Sequence, residues 1–162
     1  MLGNRYDDQV CSIARTLEHV GERWSLLILR DAVFAGATRF GEFQRSLGIA
    51  TNVLTNRLDG FVAGGLMERR PAADQPDILE YVLTEKGRDL TTTLVALTEW
   101  GDRWSAPEGP PILYRRQGSG EPVHAELISP SGPVDATDVE IHAGPGMPPE
   151  LAAGLPSAGR GA

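Results

Sequence analysis

Residues 38–81 read TRFGEFQRSLGIATNVLTNRLDGFVAGGLMERRPAADQPDILEY, and this stretch decides the fold. Phe40, Phe43 and Leu47 recur at steps of three and four, the spacing that gathers apolar side chains on one helical face. Gly48 stops that helix, and residues 48–50 make a short turn. Val53, Leu54, Leu58, Phe61 and Val62 then mark a second helical face, leaving Thr51, Asn52, Thr55, Asn56 and Arg57 on the other side. Gly64 and Gly65 end this second helix. Residues 66–70 and 78–83 read as two short strands around a turn at 71–77. Helix, tight turn, helix and β-ribbon is a winged helix-turn-helix arrangement, in which the second helix enters the DNA major groove.

Working outward, a first helix is expected over residues 11–20, with Ile13, Leu17 and Val20 on one face, Asp7 and Asp8 ahead of its positive end and Gly21 as its stop. A second helix covers residues 23–34. Beyond the ribbon a long helix starts at Thr84, a good capping residue, and carries Leu90, Leu94, Leu97, Trp100 and Trp104 on one stripe. Such a stripe, following a complete winged motif, has little of its own core left to cover, so a second copy of the chain is its natural partner.

Residues 11–30 (CSIARTLEHVGERWSLLILR), 39–58 (RFGEFQRSLGIATNVLTNRL), 64–70 (GGLMERR), 80–90 (EYVLTEKGRDL) and 96–104 (ALTEWGDRW) together resemble the HxlR family of bacterial winged-helix regulators, relatives of the MarR group. The resemblance implies a homodimeric, sequence-specific DNA-binding transcription factor without catalytic activity. The expected class is α+β, mainly α: residues 1–104 form a winged domain with amino- and carboxy-terminal dimerisation helices. Residues 105–147 form a small β-rich appendage, with strands at 112–116, 123–129 and 138–143, and residues 148–162 form a flexible tail. Ten of the twelve prolines and nine glycines fall after residue 104. Some relatives carry cysteines in a zinc-ribbon-like version of this appendage. Here the comparable places hold Ser, Gly and Pro, and His124 and His142 stand apart, so neither a structural metal nor a cofactor is expected.

The net charge of −7 weighs against nucleic-acid binding until it is divided by region. Residues 37–73 hold Arg39, Arg45, Arg57, Arg69 and Arg70 against Glu42, Asp59 and Glu68, a local excess of two positive charges in an acidic chain. Modest nonspecific affinity follows, with specificity left to base contacts and dimerisation. A single cysteine permits no internal disulfide, no apolar run approaches the roughly 20 residues of a membrane span, and the amino terminus lacks a signal peptide's pattern, so a cytoplasmic location is expected. No nucleophile elbow, phosphate loop or zinc signature suggests an enzyme.

Candidate DNA contacts are Thr51, Asn52, Thr55, Asn56 and Arg57 on the second helix of the motif. Carboxamides suit adenine edges, and a threonine methyl suits thymine. Thr51 or Asn52 is also expected to cap that helix; relatives often have Ser and Pro where this chain has Ala50 and Thr51. Arg39 and Arg45 are candidate backbone contacts, and Arg69 and Arg70 are candidate phosphate ligands on the wing. The wing tip departs from relatives, which carry a Pro-Pro-basic run where this chain has Pro76, Asp77 and Ile78, so a plain surface hairpin is the competing reading. Cys11 has two readings: a redox sensor, as in some relatives, or a small residue half-buried against a neighbouring helix. Trp24, Trp100 and Trp104 are candidates for a ligand or dimer pocket. A repressor is favoured over an activator, and the rival class is a winged-helix protein-interaction module that has lost DNA binding.

Overall fold

The computed structural model describes residues 9–154. Asp7 and Asp8 and the end of the tail lie outside these residues. Helices α1 (Ser12–Val20), α2 (Ser25–Phe34), α3 (Phe40–Leu47) and α4 (Thr51–Ala63) are followed by β1 (Met67–Pro71) and β2 (Leu79–Leu83), then α5 (Glu85–Arg88) and α6 (Thr91–Ser105).

Local chemistry sets the boundaries. Gly48 takes the left-handed conformation, φ 60°, and closes α3 by donating its amide to the Gln44 carbonyl at 2.9 Å. At the other end of α3, one Glu42 carboxylate oxygen accepts from the amides of Thr38 at 2.8 Å and Arg39 at 2.9 Å, satisfying donors that the first helical turn leaves free. Gly65, φ 70°, turns the chain from α4 into the ribbon. The ribbon is antiparallel and pairs Met67 with Leu83 and Arg69 with Tyr81. Arg39 adds one antiparallel bridge to Glu80, which makes the segment before α3 a third, very short strand.

One core lies under these elements: Ile28 and Leu29 of α2, Phe43 of α3, Leu54, Leu58 and Phe61 of α4, Met67 and Tyr81 of the ribbon and Leu94 of α6. Burying each large side chain contributes about 1.5–3 kcal/mol. The reading face of α4 is therefore fixed from behind by its own apolar face.

The structure differs from the sequence-based expectation in several places. The helix expected from Thr84 is two helices. The Thr84 hydroxyl caps α5, accepting from the Gly87 amide at 3.1 Å, and the chain breaks at Asp89 and Leu90 before α6. Gly87 is needed because a Cβ there would lie 2.2 Å from the Leu66 carbonyl oxygen. On α1, Ala14 and Val20 are buried, whereas Ile13, 72% exposed, and Leu17 face outward. On α6, Leu94 and Val95 reach the core, and Leu97, Trp100 and Trp104 stay exposed.

Two compact units divide at Val123 and His124. The chain after α6 returns within the first unit as a hairpin: the Val123 amide donates to the Tyr114 carbonyl at 3.0 Å, and Arg115 bridges Pro122. Tyr114 stacks at 4.7 Å on Phe34 of α2 and shares a 2.9 Å hydrogen bond with Thr98 of α6, so this hairpin is packed onto the winged unit rather than standing apart from residue 105. The second unit holds β3 (Ile128–Ser129) paired with β4 (Gly132–Pro133), a 3-10 turn at Ala136–Asp138 and one helical turn, α7 (Pro149–Ala152). Of the strands expected after α6, 112–116 is reduced to the Arg115–Pro122 bridge, 123–129 to Ile128–Ser129, and the one at 138–143 does not form. Alternation alone built it, and those residues have no partner strand among prolines that remove ladder donors.

Candidate nucleic-acid interface

The outward surface of α4 carries Thr51, Asn52, Thr55 and Asn56, all exposed, above the buried Leu54, Leu58 and Phe61. The spacing on the sequence thus becomes a single polar strip. Its start differs from expectation: Ala50 occupies the capping position with no side-chain cap, so neither Thr51 nor Asn52 caps the helix. Thr51 instead accepts a 2.8 Å hydrogen bond from the Gln44 side chain of α3, which pins the two helices of the motif together. Gln44 was not anticipated as a site residue, and only its place seven residues before Thr51 hints at it. The Thr55 hydroxyl donates back to the Thr51 carbonyl at 2.9 Å. Asn52 and Asn56 keep side chains that can present both a donor and an acceptor to a base edge.

The five arginines divide into two groups. Arg57 is half-buried on the flank of α4, and its guanidinium lies 3.9 Å from Glu22 in the α1–α2 turn. It does not stand on the open face with Asn52 and Asn56, because a residue one step beyond Asn56 turns about 100° toward the protein. Arg39 bonds to Asp74 at the wing tip and sits 3.7 Å from Glu80. The hydrogen bond to Asp74 raises the pKa of the Arg39 guanidinium and lowers that of the Asp74 carboxyl. Arg69 lies 3.5 Å from Asp59, one turn along α4 from Thr55. Arg45 and Arg70 are exposed, and among the described residues neither has an acid at ion-pair distance.

The remaining candidates fall elsewhere. Cys11 is exposed at the start of α1, not half-buried. Trp24 packs at the edge of the core with the Arg23 guanidinium 5.8 Å from its ring centroid, while Trp100 and Trp104 are 63% and 69% exposed on α6. A cavity of about 310 Å³ is lined by Val33, Ala37, Tyr81, Leu83 and Arg88 among others, and by none of the three tryptophans. Among the described residues no group of three or more His, Cys, Asp or Glu side chains could hold a metal ion, and no helix is long and apolar enough to cross a membrane.

Helix, three-residue turn, helix with an open polar face, and a paired wing define a winged helix-turn-helix DNA-binding unit. The HxlR-like helix-turn-helix model matches residues 19–109, from the end of α1 past the end of α6, and the chain belongs to that family. It is 44% identical over 154 residues to an uncharacterized HTH-type transcriptional regulator of Mycobacterium tuberculosis, Rv3095, covering 93% of this chain and 96% of that one. The candidate transcription factor PA1607 superposes with a TM-score of 0.77 at 40% identity over 85% of this chain and 98% of that one. The redox regulator HypR in its reduced form superposes with a TM-score of 0.52 at 31% identity over 57% of this chain and 92% of that one. The chain is a transcriptional regulator of the helix-turn-helix type.

Proposed function

We propose that this regulator works in the cytoplasm as a homodimeric repressor that reads a pseudo-palindromic operator. The observation that carries this reading is the exposed strip Thr51, Asn52, Thr55 and Asn56, backed by a fully apolar face and flanked by the exposed Arg45 and Arg70. The strip enters the major groove and supplies base contacts, while the arginines, Arg69 included, meet the phosphates. The dimer is supported by Ile13 and Leu17 on α1 and by Leu97, Trp100 and Trp104 on α6, large apolar side chains left exposed by a single chain. Two-fold symmetry then sets the half-sites about one helical turn apart, roughly 34–36 Å. Footprinting against the upstream regions of its own and neighbouring genes tests the reading. Two protected half-sites with one-turn spacing are expected, and no shift with any of these fragments would return the chain to the interaction-module class.

A second observation favours a responsive repressor. Cys11 is exposed at a helix start, and HypR, of similar fold, is a redox regulator. A thiol so placed is open to oxidants, and with no second cysteine in the chain its oxidation links two subunits or caps the sulfur. The tryptophans of α6 and the cavity beside Tyr81 are the places where a small effector acts in the same scheme.

A further inference from the structure

Three of the five arginines on and beside the reading surface are held by acids: two at the α4 and wing surface, and one, Arg57, on the flank of α4. Arg69 faces Asp59 at 3.5 Å, Arg57 faces Glu22 at 3.9 Å, and Arg39 bonds to Asp74 with Glu80 behind it at 3.7 Å. In each pair at least one acid is the more exposed member: side-chain exposure is 55% for Asp59 against 48% for Arg69, 62% for Glu22 against 27% for Arg57, and 63% for Asp74 against 29% for Arg39. These carboxylates are therefore open to solvent, and an approaching polyanion meets them together with the arginines they hold. Structural salt bridges need no such arrangement, and exposed pairs stabilise a fold very little.

We infer that Asp59, Glu22 and Asp74 are specificity-determining residues which suppress phosphate binding by the arginines they hold. The inference rests on the reading surface assigned above. A duplex of any sequence offers phosphates, and an arginine free to take one releases a counterion and binds without regard to bases. An arginine already paired must exchange a carboxylate for the phosphate, and the displaced carboxylate then faces the polyanion. That exchange is compensated only when the strip on α4 finds its bases. Nonspecific complexes are held by phosphate contacts alone and draw on these arginines most, so the acids cost them more than they cost the operator complex, and the ratio between operator and random DNA rises. Asp59 occupies the most direct position, one turn beyond Thr55 on the helix that reads the groove.

The full-length protein and a mixed-sequence 30-base-pair duplex provide the test, with binding followed by fluorescence anisotropy across a salt series. Asp59→Asn and Asp74→Asn should each bind this duplex about threefold or more tightly than wild type. Each arginine released should steepen the slope of log affinity against log salt by about 0.9. Arg70→Ala, which removes an arginine with no acid at ion-pair distance among the described residues, should weaken the same duplex and flatten the slope. If Arg70→Ala weakens binding while both asparagine variants leave affinity and slope at wild-type values, the suppression idea is wrong and the reading surface stands. If Arg70→Ala and both asparagine variants all leave binding unchanged, the surface assignment itself fails.

Discussion

The Tyr81 amide donates to the Thr38 carbonyl at 2.7 Å, so the two ends of the 38–81 stretch meet and the helix-turn-helix closes on its own wing. The wing base is thereby part of the core, since Tyr81 is 8% exposed and packs with Phe43 and Met67. Native-state hydrogen exchange should place the Tyr81 amide among the slowest, opening only with global unfolding, while the amides of Ala73 and Gln75 at the exposed wing tip exchange through local motion. A Tyr81 amide as fast as the tip would mean that the ribbon opens independently.

Asn56 is exposed, and among the described residues its side chain has no hydrogen bond or ion pair. Asn56→Ala should cost operator binding about 1–3 kcal/mol, the size of one bidentate base contact, and leave the melting temperature within about a degree. Calorimetric melting beside operator titration separates the two effects. Equal operator affinity in Asn56→Ala and Asn52→Ala would remove both carboxamides from the contact set.

Glu42 gives the fold an acid limit. Hydrogen bonds from the Arg39 and Thr38 amides hold its pKa below the ordinary 4.5. Because folding lowers this pKa, the stabilisation is complete above about pH 4.5 and is lost as pH falls through the lower folded value. Glu42→Gln should melt at a lower temperature than wild type at pH 7, and the gap should narrow as the pH is taken down toward 3. A gap that stays constant over that range would show that the charge of Glu42 is not what holds the start of α3.

Trp104 and Ile13 test the dimer. Trp104→Glu or Ile13→Glu should shift the chain toward monomer in sedimentation velocity, with little change in far-ultraviolet dichroism, since both side chains are open in the single chain. Operator affinity should fall with the loss of the second half-site. A charge variant that sediments as wild type would move the interface off these helices.

Cys11→Ser should abolish any release of DNA by peroxide or diamide. Nonreducing electrophoresis of oxidised wild type distinguishes a linked pair of subunits from a capped thiol. Oxidant-driven release that persists in the serine variant would acquit the cysteine.

Much of the reading surface is legible in the sequence because local rules create it. Gly48 must end α3, and the three-and-four spacing of Val53, Leu54, Leu58 and Phe61 leaves Asn52 and Asn56 outside. What the sequence hides depends on partners far away along the chain. Nothing near Arg57 announces Glu22, 35 positions earlier, and nothing near Arg39 announces Asp74, 35 positions later. The helix start at Ala50 is hidden because Thr51 and Asn52 are good caps by type, whereas Gln44 engages the Thr51 hydroxyl. The docking of the Tyr114 hairpin is hidden for the same reason, since its anchor, Phe34, belongs to α2. The mycobacterial relative matches along 93% of the chain, so the segment after α6 is shared well beyond the winged unit.

At Gly87 the backbone of α5 comes so near the Leu66 carbonyl that no methyl group fits between them, and the Thr84 hydroxyl hydrogen-bonds to the Gly65 carbonyl beside it at 2.7 Å. Here main chain meets main chain, so any residue larger than glycine at position 87 has to push α5 off the root of β1, and the spacing between the wing and the short helix after it is set by one missing methyl group.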